Sequence, residues 1–276
     1  MAGPRSPVLN VMSGAAKRVG RLLVRDFGEV EKLQVSVKGP ADFVSSADRK
    51  ADQVLRDLLG KARPGWGFLT EEGAEVVGSD ADNRWVIDPI DGTTNFLHGI
   101  PHFCISIAHQ RGKEVVAGLV YDPVRDETFA AEKGAGAYLN DHRLRVSSRR
   151  TLAESVLATG IPTIRGSEMI MPFMKQLAMV SGKVSAVRRF GSAALDLAYV
   201  AAGRYDGYWE ADLRAWDVAA GLVLVREAGG FVTDLTGAGT MLDSGNVLAT
   251  NPDLHGPMLE LLKSAAKLPD WPETGL

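Results

Sequence analysis

Two aspartates lie three residues apart at the end of an apolar run in the stretch Arg84–Phe96. Trp85-Val86-Ile87 predicts a short buried strand, and Asp88 and Asp91 follow it across Pro89-Ile90. A strand that carries carboxylates to its C-terminal end is a common way for an α/β protein to build a site. Hard divalent cations such as Mg²⁺ prefer oxygen ligands, and two aspartates this close repel each other unless a cation lies between them. The pair therefore predicts a metal site.

The residues around the second aspartate are suited to an anion. Gly92 lets the backbone approach a ligand closely. Thr93, Thr94 and Asn95 are common N-cap residues, so we expect a helix to start here with its first N–H groups exposed. Pro89 fixes φ and removes a donor, so we expect the chain to turn there and not to pair onward as a strand. Metal-binding carboxylates beside anion-binding amides indicate metal-assisted phosphate chemistry.

Three further carboxylates lie at predicted strand ends or helix starts. Glu71 follows the strand Gly67–Leu69, Glu210 ends a later strand, and Asp217 lies in the first turn of an apolar helix. Each acid alone has an ordinary explanation: Glu71 and Glu210 as solvated surface acids, and Asp217 as an acid favoured by the helix dipole. The joint pattern is more specific than any one of its members.

Other catalytic plans fit the chain less well. Haloacid-dehalogenase-type phosphatases place a second acid two residues after their aspartate nucleophile, whereas Asp91 lies three residues after Asp88. The chain has no Gly-x-Ser-x-Gly elbow and no Walker A loop. The five histidines show no metal-ligand spacing, and the single cysteine, Cys104, lies in an apolar run that predicts a buried structural thiol.

The composition is that of an ordinary globular protein. The chain has 276 residues, of which 45% are hydrophobic and 24% charged, with a formal net charge of -3. This suffices for one large α/β domain or two modest ones, and it requires no nucleic-acid or membrane partner. No stretch reaches the roughly 18 apolar residues of a membrane span. Val8–Phe27 predicts an amphipathic helix and not a signal peptide, so we expect a cytoplasmic protein.

The predicted elements differ between the two halves of the chain. Helices are predicted over Val8–Phe27, from the Ser45–Asp48 cap region to Gly60 or Pro64, and over Ser167–Val180, Ser192–Ala202, Trp216–Ala228 and Leu254–Lys267. Strands are predicted over Gly67–Leu69, Phe103–Gln110, Val115–Tyr121, Glu127–Glu132, Glu154–Thr159, Ala186–Arg188, Tyr205–Glu210, Phe231–Asp234 and Val247–Thr250. Gly78–Asn83 is expected to be a surface loop.

The first half thus combines two helices with an antiparallel meander, and the second alternates strand and helix, as a covered sheet does. The polar stretch Ser147–Thr151 is the predicted boundary between the halves. We expect one compact domain over residues 1–276, with subdomains of about 1–148 and 149–276.

Five motifs resemble those of the inositol monophosphatases, and they follow the family's order. They are the first signature Trp85–Phe96, the second signature Trp216–Gly221, the glutamate motif Thr70-Glu71-Glu72, the loop and aspartate Pro40–Asp48, and the substrate-side turn Gly191–Ala194. The tract Arg188–Arg204 is most similar to the bacterial members of the extragenic-suppressor type. The match runs from about Val8 to Leu261, which is nearly the whole chain.

The resemblance implies a fold and a set of cofactors. The fold is a five-layer α-β-α-β-α sandwich of the inositol monophosphatase / fructose-1,6-bisphosphatase type, within the α/β (α+β) class. The resemblance also implies two to three Mg²⁺ ions per active site, lithium sensitivity and a homodimer.

The resemblance also implies metal ligands. Glu71, Asp88 and the Ile90 carbonyl would hold the first ion, and Asp88, Asp91 and Asp217 the second. Glu71 would also help to hold a third, looser ion. The nucleophile would be a water activated by the metal ions.

Catalytic and substrate contacts follow from the same resemblance. Thr93, oriented by Asp48, and Glu71 would help to remove the proton of the nucleophilic water. The amides of Gly92 and Thr93 would bind the phosphate, and other groups would contact the hydroxyls of the sugar alcohol. The implied substrate-binding residues are Asp91, Gly92, Thr93, Ala193, Glu210 and Asp217.

The implied function is Mg²⁺-dependent hydrolysis of inositol monophosphate to inositol and phosphate. The same chemistry on histidinol phosphate, fructose 1,6-bisphosphate or 3′-phosphoadenosine 5′-phosphate is the alternative. Thr94 favours the inositol branch, because the nucleotide-directed relatives often have lysine after the first threonine.

A binding role is the second class of function. Relatives of the extragenic-suppressor type are associated with the transcription machinery, and Arg188, Arg189 and Arg204 could form a surface for such a partner. A solvated or dimer-contacting face is the alternative for these arginines.

Overall fold

Eight α-helices and fourteen β-strands make up the described part of the chain, residues 6–28, 35–39, 42–162 and 167–269 of a computed structural model. The helices are α1 (Pro7–Phe27), α2 (Ser46–Ala62), α3 (Thr93–Leu97), α4 (Ser167–Ser181), α5 (Ala193–Ala201), α6 (Ala215–Glu227), α7 (Met241–Ser244) and α8 (Pro252–Ala265). The strands are β1 (Val35–Gly39), β2 (Asp42–Ser45), β3 (Trp66–Thr70), β4 (Asp80–Asp91), β5 (Cys104–Arg111), β6 (Glu114–Asp122), β7 (Glu127–Glu132), β8 (Gly136–Leu139), β9 (His142–Arg143), β10 (Val156–Thr159), β11 (Ala186–Arg188), β12 (Gly207–Glu210), β13 (Phe231–Thr233) and β14 (Val247–Thr250).

The first helix shows how the local sequence sets an element. Ser6 caps α1, since its hydroxyl accepts a hydrogen bond from the Leu9 amide at 3.1 Å, and Pro7 occupies the first turn, where no donor is needed. Met12 and Val19 lie one above the other on the buried face. The helix ends at Phe27, as its apolar period predicts.

A seven-stranded sheet has the order β3-β4-β5-β6-β7-β8-β9. Its first pair, β3 and β4, is parallel, and the remaining pairs are antiparallel, which confirms the predicted meander. Because β3 and β4 are parallel, both strands end at the same edge of the sheet. Glu71 is the residue after β3, and Asp91 is the last residue of β4.

Two predictions about β4 are wrong. The strand begins at Asp80, so most of the stretch predicted to be a loop is strand. It also continues through Pro89, with Asp91 opposite Cys104 on β5. The reason is a shift of register between Asp88 and Asp91, which lets the ladder pass a residue that has no N–H to donate.

A five-stranded sheet in the second half has the order β11-β10-β12-β14-β13. The strands β11, β10 and β12 are parallel, and β14 is antiparallel to both β12 and β13. The predicted alternation of strand and helix in this half is confirmed. Glu210 ends β12 in the middle of this sheet.

The helices form three layers around the two sheets. Helices α1 and α2 pack on one face of the large sheet, and α6, with α5 beside it, packs on the other. The second sheet covers α5 and carries α8, with α4 against it, on its outer side. Three apolar cores fill these spaces, the central one around α5 and α6. The order is α-β-α-β-α, which confirms the predicted five-layer sandwich.

Some predictions concern residues that the structure leaves out. Pro40 and Ala41, within the motif Pro40–Asp48, lie outside the described residues.

No element of either sheet falls within the predicted boundary Ser147–Thr151, and strands β3 to β9 precede it while β10 to β14 follow it. The single domain with its two subdomains stays a prediction. None of the described helices has the length and apolar character needed to cross a membrane.

Candidate active site

Acidic residues from the large sheet and from the helix layer beside it meet at one place. Glu71 follows β3, Asp88 and Asp91 lie on β4, and Asp217 is the third residue of α6. These four acids perturb one another: the charges of Glu71, Asp91 and Asp217 all act on the Asp88 carboxyl. The structure thus brings together residues that are far apart in the sequence.

Asp88 is the centre of this cluster. It is 2% exposed, and its Oδ1 accepts a hydrogen bond from the Ile90 amide at 2.9 Å, which shapes the bulge after it. Burial first, and then the charges of Glu71, Asp91 and Asp217, raise the pKa of Asp88 well above its usual value. A cation near this carboxylate would offset both effects.

Asp91 accepts hydrogen bonds from residues in the second half of the chain. Its Oδ2 accepts hydrogen bonds from the Ser192 hydroxyl at 2.6 Å and the Ala194 amide at 2.7 Å, and the Cys104 thiol lies 3.7 Å from the same oxygen. Burial raises the pKa of Asp91, whereas these donors act to lower it. Because Ser192 and Ala194 lie at the start of α5, they fix the aspartate against the helix layer.

Asp217 and Glu210 face the same region from the other side. Oδ2 of Asp217 accepts from the Arg214 amide at 2.7 Å, so this carboxylate also caps α6. Burial and the charges of Asp91, Glu71 and Glu210 raise the pKa of Asp217. Burial likewise raises the pKa of Glu210 to about 7. Glu210 is therefore a half-buried acid beside other carboxylates and not the solvated surface acid of the ordinary explanation.

The threonine and aspartate predicted to act together are in contact. Thr93 Oγ1 lies 3.2 Å from Asp48 Oδ1 and 3.0 Å from the Ile90 carbonyl oxygen. Asp48 is fully buried in the first turn of α2. Gly92, with φ 98°, is the N-cap of α3, so the cap is the glycine and not one of the threonines or Asn95. A Cβ at Gly92 would lie 3.0 Å from the His102 carbonyl oxygen.

The donor set suits a hard divalent cation. In the part of the chain that the structure describes, no three Asp, Glu, His or Cys side chains already stand in a closed metal-binding arrangement. Asp88 and Asp91 are nevertheless buried, with Glu71 and Asp217 half-buried beside them, and the neighbouring charges that act on Asp88 come from other acids. Oxygen ligands with an excess of negative charge are those that Mg²⁺ and similar ions prefer, so the residues present fit such an ion.

Two contributors to this site were not found from the sequence. Ser192 is the first residue of the helix predicted over Ser192–Ala202, and although it is the N-cap of α5, its hydroxyl donates to Asp91. Cys104 is buried as predicted, but it lies beside the site, because the register of β4 and β5 puts it opposite Asp91. A predicted hairpin register would have found the cysteine, whereas the partner of Ser192 depends on how the two halves pack.

The predicted arginine surface is only partly present. Arg188 and Arg189 are exposed next to Phe190. Arg204 is instead bonded to Glu127, with Nη1 2.6 Å from Oε2, and its guanidinium lies 4.7 Å from the ring centre of Tyr199. An arginine fixed by an ion pair and an aromatic ring is less available to a partner.

Comparisons with known proteins agree with this geometry. Residues 5–267 match the model of the inositol monophosphatase family. The chain is 54% identical over 260 residues to the inositol-1-monophosphatase of Rhizobium meliloti (strain 1021), covering 94% of this chain and 97% of that protein. It is 45% identical over 254 residues to the Nus factor SuhB of Escherichia coli (strain K12), covering 92% of this chain and 94% of that protein.

A solved structure extends the agreement to three dimensions. The crystal structure of the extragenic suppressor protein suhB from Bartonella henselae superposes with a TM-score of 0.91 at 53% sequence identity, covering 94% of this chain and 99% of that one. The sequence motifs, the five-layer fold and the cluster of acids in the candidate site thus indicate the same family. The chain belongs to the inositol monophosphatase family.

Proposed function

We propose that this protein is a Mg²⁺-dependent phosphomonoesterase that hydrolyses inositol monophosphate to inositol and phosphate. The observation that carries the proposal is the group of four acids, Glu71, Asp88, Asp91 and Asp217, whose charges act on one another and of which Asp88 and Asp91 are buried. Membership of a family that is generally metal-dependent, and a relative named inositol-1-monophosphatase at 54% identity, support it.

The acids would hold the metal ions as the resemblance implies. Glu71, Asp88 and the Ile90 carbonyl form one set of ligands, and Asp88, Asp91 and Asp217 form the other, so that Asp88 is shared. When bound, such ions supply positive charge that lowers the pKa of a water and stabilises the attacking and leaving oxygens of an in-line displacement. Two to three Mg²⁺ ions belong to this proposal.

The remaining groups would position and move the reacting atoms. Asp48 accepts the Thr93 hydroxyl hydrogen, which orients Thr93 Oγ1 to take part in proton removal with Glu71. The amides of Gly92 and Thr93, at a helix start where no intrahelical acceptor exists, would hold the phosphate. Phosphoryl transfer needs mainly such positioning and charge stabilisation.

The substrate's alcohol would lie on the side of the second sheet. Asp91, Ala193 and Glu210 would contact its hydroxyls; Ala193 is the first residue of α5, and Glu210 is the last of β12. The homodimer and lithium inhibition, which the resemblance implies, and the cytoplasmic location expected from the sequence are further parts of the proposal.

The metal assignment is tested by Asp88→Asn. We expect turnover to fall by more than about 100-fold, since losing even an outer-shell partner of a metal ligand costs 10- to 100-fold. The fold should be retained, because Asn keeps the shape and an acceptor for the Ile90 amide. Asp82→Asn, on the exposed start of the same strand, is the matched control. Retained turnover in the Asp88 variant would overturn the metal assignment.

The substrate is tested with a panel of phosphate esters. Phosphate release is measured with Mg²⁺ for inositol 1-phosphate, histidinol phosphate, fructose 1,6-bisphosphate and 3′-phosphoadenosine 5′-phosphate, with and without Li⁺. The proposal expects the highest kcat/KM on the inositol ester and inhibition by Li⁺. A higher kcat/KM on another ester would reassign the substrate while leaving the chemistry in place.

A second candidate function is binding to the transcription machinery. The relative named Nus factor SuhB and the exposed pair Arg188 and Arg189 support it. Pull-down with the Asp88→Asn variant separates the two roles: a transcription protein retained by this variant supports a role apart from catalysis, and no such partner counts against it. The double variant Arg188→Ala/Arg189→Ala tests the surface.

A further inference from the structure

Two donors of the protein hold the Glu210 carboxylate in place. The Tyr208 hydroxyl donates to Glu210 Oε2, and the Gly160 amide donates to the same carboxylate. Tyr208 is 1% exposed, so its side chain is enclosed by protein. Both donors favour the ionised carboxylate, because they act to lower the pKa of Glu210 that burial raises.

A glycine is needed at position 160 because there is no room for a side chain, and not because of the backbone conformation. A Cβ at this position would lie 1.8 Å from Glu210 Oε1 and 2.0 Å from Cδ of the same side chain. The backbone of Gly160 is not in the left-handed region, which only glycine adopts readily. Any larger residue would therefore push the Glu210 carboxylate out of its present position while the local backbone could stay as it is.

Without the two donors, the charges around Glu210 would disfavour its carboxylate at this position. The charge of Asp91 opposes its ionisation, the charges of Glu210 and Asp91 in turn act on Asp196, and Arg189 is the cation that acts in the opposite sense. Asp196 is 1% exposed, and its Oδ1 has no hydrogen-bond partner among the described residues. Like charges in a buried place repel strongly, so the donors Tyr208 and Gly160 decide where the Glu210 oxygens point.

We propose that Tyr208 and Gly160 are positioning residues that present Glu210 to the hydroxyls of the substrate's alcohol and thereby set the preference for polyol monophosphates over phosphate esters that lack hydroxyls. This inference rests on the proposed function, in which Glu210 contacts those hydroxyls. The hydrogen bonds described above run from Tyr208 and Gly160 to Glu210 and not to a proposed metal ligand, so their loss should act mainly through the alcohol part of the substrate.

The experiment compares two substrates in the full-length protein with Mg²⁺. Inositol 1-phosphate offers hydroxyls to Glu210, and p-nitrophenyl phosphate offers none. Tyr208→Phe removes one donor without changing the ring, and we expect it to raise KM for the inositol ester by about ten-fold, the range of a hydrogen bond to a charged group, with a small change in kcat. Gly160→Ala, which displaces the carboxylate, should raise KM at least as much.

Matched controls separate this effect from general damage. Tyr121→Phe also removes a buried tyrosine hydroxyl that donates to a carboxylate, that of Asp126 at 2.9 Å, but on β6 of the other sheet. Gly14→Ala adds a Cβ that meets nothing within 4 Å. We expect both controls to keep the wild-type ratio of kcat/KM for the two substrates. Thermal unfolding of every variant shows whether it is folded.

Each outcome of this comparison either supports or overturns the inference. A loss on the inositol ester with kcat/KM for p-nitrophenyl phosphate changed less than about two-fold, in either site variant, supports the inference. Equal losses on both substrates, or no loss in either site variant, overturn the inference and leave the proposed function standing. If the wild-type protein hydrolyses p-nitrophenyl phosphate but not inositol 1-phosphate, the proposed substrate fails and the inference with it.

Discussion

Oδ2 of Asp91 accepts hydrogen bonds from three donors, which belong to Ser192, Ala194 and Cys104. A carboxylate that is buried among other acids is costly unless hydrogen bonds or cations stabilise its charge. The Ser192 hydroxyl, at 2.6 Å, is the shortest of the three contacts and acts to lower the Asp91 pKa. This serine therefore supports a proposed metal ligand from the second half of the chain.

Ser192→Ala should weaken metal activation. Without the hydroxyl, the pKa of Asp91 rises, so protons compete better with the metal ion at neutral pH. We expect the Mg²⁺ concentration for half-maximal activity to increase by about ten-fold, as loss of outer-shell partners of metal ligands does. The measurement is a Mg²⁺ titration of phosphate release.

The control for this variant is Ser155→Ala. Ser155 is equally buried and donates to the Thr151 carbonyl at 2.7 Å, away from the acids. It should leave the Mg²⁺ titration unchanged. If the Ser192 variant also keeps the wild-type titration, Asp91 does not need this support.

Single residues show how far the sequence can predict such a site. Asp88 and Asp91 could be identified because their spacing after an apolar strand is local. Glu210 and Asp217 could be placed at element ends, but their position near Asp91 depends on packing between the two sheets. Ser192 illustrates the limit: its type predicts a helix cap, and only the position of β4 shows that the hydroxyl bonds a carboxylate instead.

The bounds of the elements were easier to predict than the pairing between them. The strands Glu127–Glu132, Ala186–Arg188 and Val247–Thr250 have the predicted bounds because β-branched and apolar residues end at clear turns. The course of β4 could not be predicted, since Pro89 removes one donor but the bulge accommodates that loss. Pairing that spans a bulge depends on the partner strand, here β5, and not on local propensity.

Helices α5 and α6 form the layer that carries Ser192 and Asp217 to the site. They approach closely at Gly221, where a Cβ would lie 2.4 Å from Cδ1 and 2.5 Å from Cβ of Leu197. The Leu197 Cβ cannot move without the backbone of α5. The distance between the two helices is therefore set by a glycine, and the depth of Asp217 in the site depends on it.

Gly221→Ala should destabilise the protein despite the better helix propensity of alanine. Alanine gains up to about 1 kcal/mol in a helix interior, but overpacking in a filled core costs about 1–3 kcal/mol, and here the clash involves backbone-fixed atoms. We expect a net loss of about 1–2 kcal/mol in the free energy of unfolding, measured by denaturant unfolding.

Gly14→Ala in α1 is the matched control for the change in helix propensity. Its Cβ meets nothing within 4 Å, so we expect it to be neutral or stabilising by up to about 1 kcal/mol. Stabilisation of similar size in both variants would show that α5 and α6 can move apart without cost.

The complete site exists only when both sheets and α6 are assembled. Glu71, Asp88 and Asp91 come from the large sheet, Glu210 comes from the second sheet, and Asp217 comes from the layer between them. Folding therefore concentrates negative charge inside the molecule, and the pKa values of Asp88, Asp91, Asp217 and Glu210 are all raised. This charge links the stability of the whole molecule to pH and to metal ions.

The sign of the pH effect follows from proton binding. A carboxyl whose pKa is higher in the folded than in the unfolded protein binds more protons when folded, so folding is favoured at low pH. For these acids, the contribution is present below their unfolded pKa of about 4, and it is lost as pH rises through the folded pKa, which for Glu210 is about 7. Metal-free protein should therefore lose stability from these groups between about pH 4 and 7.

Mg²⁺ should reverse this loss, because an ion that binds only the folded state stabilises it by RT ln(1 + [Mg²⁺]/Kd). We expect the Tm of EDTA-treated protein to rise on addition of Mg²⁺, and to rise more at pH 7.5 than at pH 5.5, where protons already compensate the carboxylates. Asp88→Asn removes one buried charge, so its metal-free Tm at pH 7.5 should exceed that of the wild type and respond less to Mg²⁺. Thermal unfolding at the two pH values measures both effects. A Tm that Mg²⁺ raises equally in the wild type and in this variant would show that the stabilising ion binds somewhere other than among these acids.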